Sequence, residues 1–294
     1  MINWFLNKIK SLNERGPLFK GIAFPYKAGH YLLYFLCQTP LIWLGRKQEK
    51  RIITRLLDLM EVPTEKYNQH YFNYVFYNSW NVWRRHFLEQ QTTFNQKVDF
   101  QNEQLVHRYK KENRTVFLYY RHSLMTTLFF QLASHFFKRF VGIGSINKTK
   151  YLIQNGQGDL PAHIQKDPFK YRKEIRRDQL RRMFQIMDSP EEGAINYFYD
   201  GIEGSKLNKF QYKKMNYRLS NSLSKFLNPS NIFLMVDFQI SRSGRLQIRF
   251  DEINSENPDI FLYNLLTLHE QDLPDKLMKC NTFLLNHIYK FNAD

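Results

Sequence analysis

Apolar positions recur at helical spacing through the first 90 residues and then switch to a strand-and-helix alternation. In "RKQEKRIITRLLDLMEV", Ile52, Leu56, Leu59 and Met60 share one face and the charges take the other. "TEKYNQHYFNYVFYNSWNVWRRHFLEQ" reads as a long aromatic helix, with Thr64 in position to cap its start. Residues 91–114 are polar, with a short strand expected around Val98.

From residue 115 the pattern alternates. Val116 to Tyr120 is β-branched and aromatic, which predicts a buried strand over 115–121. Leu124, Leu128, Leu132 and Phe136 recur every four residues and predict a helix over 123–138. A second strand follows near 140–146. "DPFKYRKEIRRDQLRRMFQIMDSPEEG" is a further helix, ended by Pro190 and Gly193. Ile175, Gln179 and Arg182 track one side of it, and Leu180, Phe184 and Met187 another. "AINYFYDG" is a buried strand, and "NIFLMVDFQI" and "RLQIRFDEI" form a strand pair joined at "SRSG". The tail from 259 to 291 is helical.

These elements predict an α/β fold: a mixed central sheet flanked by helices, preceded by a helical N-terminal segment. No repeat or linker divides the chain, so residues 1–294 are expected to form one domain, with 1–90 membrane-proximal and 91–294 the α/β core.

Composition narrows the partners. Lys and Arg outnumber Asp and Glu by 43 to 27, a net charge of +16, which favours a polyanionic partner. The aromatics fall in apolar runs rather than beside basic residues on a polar strand, which weighs against nucleic acid. Cys37 and Cys280 are far apart and make no CxxC, so neither a disulfide framework nor a zinc site is indicated. The histidines show no metal-ligand spacing. Residues 31–44, "YLLYFLCQTPLIWL", are the most apolar stretch, interrupted at Gln38-Thr39-Pro40. A spanning helix needs roughly 20 apolar residues, so this segment either lies in a membrane interface or packs into the protein.

His122 stands where the strand at 115–121 hands over to the following helix, a place where loops carry function. The basic helix, the turn "EEG", the strand running into "YDGIEG", an amphipathic helix and the strand pair follow in order. This layout resembles the late (lauroyl/myristoyl) acyltransferases of lipid A biosynthesis, a branch of the lysophospholipid acyltransferase-like superfamily, over roughly residues 25–290. The resemblance implies a bacterial protein held peripherally on the cytoplasmic face of the inner membrane. Such a protein moves an acyl chain from an acyl carrier protein or coenzyme A thioester, with no further cofactor.

The family pairs its histidine base with an acid five positions on, which orients the imidazole and balances its charge. Here that position holds Thr127, whose hydroxyl can still partner the imidazole by accepting its hydrogen bond but carries no charge. Asp200 and Glu203, beside Gly201 and Gly204, are the candidates to supply the missing carboxylate. Arg121, Lys148, Arg176, Arg177, Gly201 and Gly204 are candidate substrate contacts, the basic four for the donor's phosphates or an anionic headgroup. The alternative keeps the fold and drops the chemistry: a non-catalytic homologue that binds lipid or partners an active lipid or natural-product synthase.

Overall fold

The computed structural model describes residues 31–39, 46–87, 98–121, 132–143 except 134, 171–198 except 192, 207–241 except 221–223 and 225, and 246–292 except 281. A short helix at 31–37 turns Tyr34 inward, edge-on to Phe72 and Phe76 at 5.0 and 5.7 Å between ring centroids. It ends where the amides of Gln38 and Thr39 bond back to Phe35 and Leu36. Helix α1 (Lys47–Leu59) buries Ile52, Ile53, Leu56, Leu57 and Leu59, the face its spacing predicts. Thr64 makes no capping bond; it opens a 3-10 turn, Thr64–Lys66, that leads from extended Pro63 into α2 (Tyr67–Phe87).

Strand β1 (Val98–Gln101) lies where one is expected, but the polar reading of 91–114 overlooks α3 (Glu103–Lys111). Only Val106 and Tyr109 are buried on α3, a stripe too short to stand out among the charges around it. Strand β2 (Thr115–Tyr120) is buried at every position. Of the helix expected at 123–138, the described turns bury Leu132 and Phe136, two members of the predicted stripe. Strand β3 (Arg139–Ile143) and helix α4 (Arg172–Asp188) follow, then β4 (Gly193–Phe198), again buried throughout.

On α4 the core face is Ile175, Gln179, Met183 and Ile186, while Leu180 and Phe184 are exposed at 46 and 48%. Arg182 lies only at the margin of that buried face, because Asp178 binds its guanidinium at 2.8 Å. The amphipathic helix expected before the strand pair is instead an antiparallel hairpin, β5 (Leu207–Tyr212) and β6 (Met215–Ser220). Period-two burial of Met215, Tyr217 and Leu219 explains it, since alternate residues share one face of a strand. Strands β7 (Asn231–Ile240) and β8 (Leu246–Ile253) form the predicted pair. The helical tail breaks into α5 (Pro258–Glu270), α6 (Leu273–Met278) and α7 (Thr282–Phe291). Asn257 caps α5 by accepting from the amides of Asp259 and Ile260, and Asp272, at φ 54°, turns the chain into α6.

The fold is therefore α/β: a mixed six-stranded sheet in the order β1-β8-β7-β2-β4-β3, flanked by helices. Within this sheet, among the described residues, only the β7–β8 pair is antiparallel. β2 sits between two parallel neighbours, β7 and β4, which is why its sequence is a continuous apolar run rather than an alternation. Phe117 stacks on Phe233 at 4.8 Å, and Tyr119, Phe233 and Phe261 meet edge to face at 5.0–5.9 Å, joining sheet to α5.

Candidate functional site

Arg121 is the first residue beyond the carboxyl end of β2. The chain leaves β2 towards β3 on one side, and leaves the adjacent β7 towards β8 on the other. In open α/β sheets such a divergence opens a crevice outside the carboxyl ends of the strands. Helix α4 runs back along the sheet: Arg139, at the start of β3, donates to the carbonyls of Gln185 and Ser189 at the helix's far end. Its first turns, with Arg176 and Arg177 exposed, consequently face the same edge as Arg121. Asp178 holds Arg181 and Arg182 and leaves the two earlier arginines to solvent. Of the other residues singled out in the sequence, His122, Thr127, Lys148, Asp200, Gly201, Glu203 and Gly204 lie outside the described residues.

Arg121 opens into a pocket walled by β6, the end of α5 and the last two turns of α7. Asn216, Tyr217 and Arg218 come from β6, His269 from α5, and His287 and Phe291 from α7. The walls are tied together by polar bonds. Asn292 closes α7 onto β6, accepting from the Asn216 amide at 2.6 Å and donating to its carbonyl at 2.9 Å. The Tyr217 hydroxyl donates to Glu270, and its ring lies 5.0 Å from that of His269. Burial, reinforced by the Glu270 carboxylate, raises the Tyr217 phenol and keeps it protonated.

The field in this region is positive. His269 is 1% exposed, and burial, with Arg121 and Lys276 adding repulsion, holds its imidazole well below the usual histidine value, so it is neutral. Burial likewise lowers Lys276 to about 8, opposed by Asp237 and assisted by Arg121, Lys279 and Arg249. Lys276 donates to the carbonyls of Leu268 and His269, capping the C-terminal end of α5. Beside it, Lys279 reaches Asp237 at 3.4 Å. Burial alone would raise the Asp237 carboxyl, but Lys279 and Lys276 outweigh it and the net shift is downward.

Sequence reasoning reaches Arg121, Arg176 and Arg177 because they follow a strand or crowd a helix. Arg218, His269 and His287 escape it. They come from three separate elements, and no local spacing announces a pocket assembled by tertiary packing. The alternation of Met215, Tyr217 and Leu219 was the one signal able to place Arg218 on a strand. The chain matches no family model and no curated protein.

Proposed function

We propose that the chain is an acyltransferase of the lysophospholipid acyltransferase-like kind, moving a fatty acyl chain from an acyl carrier protein or coenzyme A thioester to a hydroxyl or amine. The observation that carries the reading is that β2, flanked by parallel neighbours, ends at Tyr120 and the described chain leaves it at Arg121, the residue before His122 in the sequence. The exposed Arg176 and Arg177 on α4 face that edge and suit the phosphates of either donor. Tyr31, Leu32, Phe35 and Leu36, 41–64% exposed along one side of the helix at 31–37, suit the surface of an anionic membrane.

In this reading His122 takes the acceptor's proton as its oxygen or nitrogen attacks the thioester carbonyl. The new bond to carbon forms, the carbon–sulfur bond breaks, and the imidazolium returns the proton to the departing thiolate. Asp200 or Glu203 supplies the carboxylate that Thr127 lacks. The experiment is an acyl-transfer assay with labelled donor and candidate acceptors. His122→Ala is expected to abolish turnover with its unfolding transition nearly unchanged, and Asp200→Asn or Glu203→Gln to reduce it by up to about 10⁴-fold, the cost of losing an orienting carboxylate. Thr127→Glu raises turnover if the dyad is only weakened, and lowers it if it crowds a relocated acid. Turnover equal to the parent in His122→Ala refutes the assignment. No turnover in any form, with lipid binding kept, favours the non-catalytic homologue.

A further inference from the structure

We propose that the pocket between β6 and α7 is a binding site for a phosphate-type oxyanion, with Arg218 as its principal contact. Arg218 is only partly exposed, and its Nε is buried without a hydrogen-bond acceptor among the described residues. No carboxylate among them pairs with it. A buried N–H left without an acceptor is costly, because it has given up its water and gained no partner. What holds Arg218 in place is Phe291, whose ring centroid lies 4.1 Å from the guanidinium carbon. Such stacking fixes the plane of the fork while leaving its N–H edge available for a bidentate anion.

The surroundings add charge of the same sign. Lys209 stands directly opposite Arg218 in the hairpin register, and like charges across a strand pair destabilise unless something negative lies near. Arg121 enters the same pocket, and none of its lining residues among those described is acidic. Asn216 and His287 add neutral hydrogen-bonding groups to the wall. The cavity, about 40 Å³, has room for about three waters or one phosphate-sized group. The chemistry therefore fits the phosphoryl head of a larger molecule or the free ion. The site stands independently of acyl transfer, since it is read by binding and not by turnover.

The test is titration of the full chain with inorganic phosphate and with glycerol 3-phosphate at constant ionic strength. Calorimetry and the shift in unfolding temperature serve as readouts, and potassium acetate as control. Saturable binding of either phosphate is expected, with an affinity lowered at least tenfold in Arg218→Gln and partly retained in Arg218→Lys. Tighter binding of the monoester identifies an esterified phosphate such as a lipid headgroup; tighter binding of the free ion identifies phosphate itself. If Arg218→Gln does not fold, Phe291→Leu replaces it and is expected to weaken binding severalfold by freeing the fork. Absence of saturable binding to the parent, equal response to acetate, or unchanged affinity in the folded variants overturns the proposal.

Discussion

His269 shows how burial of a single side chain ties the stability of this fold to pH. It is buried against the Tyr217 ring, with Arg121 and Lys276 close enough to oppose a further positive charge. The folded protein keeps it neutral, whereas the unfolded chain takes up its proton near the ordinary value of about 6.5. The folded value is depressed, so the stability at stake is present above that pH and is lost as pH falls below it. The loss is at most about 1.4 kcal/mol per pH unit for one such group. Between pH 6.5 and about 4.5 Asp237 and Asp275 contribute little, because both are held below the ordinary carboxylate value. In urea unfolding across pH 7 to 5, the parent is expected to lose stability faster than His269→Gln by about that amount per unit. Parallel pH curves for the two proteins would show that the imidazole is not held neutral. At this scale the sequence is least informative: nothing in "LLTLHEQD" distinguishes His269 from an exposed histidine, because its environment is built from β2, β6 and α6.

Elements with one dominant period were legible and those with mixed signals were not. The apolar run of β2 and the heptad-like face of α1 each point to a single structure, and each forms it. The segment at 207–220 carries eight polar or charged residues, with two lysines at its centre, and these mask its local alternation. The turn decides the matter physically. Tyr212 pairs with Met215, leaving a two-residue loop in which Lys213 adopts φ 54°, and the Lys214 amide donates to the carbonyl of Leu59 at 2.9 Å. A non-glycine residue with positive φ is strained, and glycine relieves it. Lys213→Gly is therefore expected to stabilise the protein by about 0.5 kcal/mol, even after loss of the exposed 4.0 Å contact to Glu61, which is worth little. In a helix the same change would cost about 1 kcal/mol, so the sign of the shift in the urea midpoint separates the two structures.

The whole chain carries a net charge of +16, and among the described residues the large exposed apolar side chains fall in a few places. Among the described residues no helix is long and apolar enough to cross a membrane. Yet the helix at 31–37 buries Cys37 and packs Tyr34 against α2 while leaving Tyr31, Leu32, Phe35 and Leu36 outward. Next to it, α1 presents Lys47, Lys50, Arg51 and Arg55 on its exposed side. Apolar side chains and basic residues in one neighbourhood give two additive terms for an anionic bilayer: about 0.8 kcal/mol per buried methylene and about 1 kcal/mol per cation near the surface. The first term is indifferent to salt and the second is screened by it. Co-sedimentation with phosphatidylglycerol vesicles is therefore expected to exceed that with neutral vesicles at low salt. Raising salt should weaken it severalfold without abolishing it. Phe35→Glu removes apolar contact and adds repulsion, so it is expected to reduce partitioning at every salt concentration while leaving Tm within a few degrees, since Phe35 is 64% exposed. If Phe35→Glu partitions like the parent, the outward face of this helix does not meet the membrane, and the attraction is carried by charge elsewhere on the molecule.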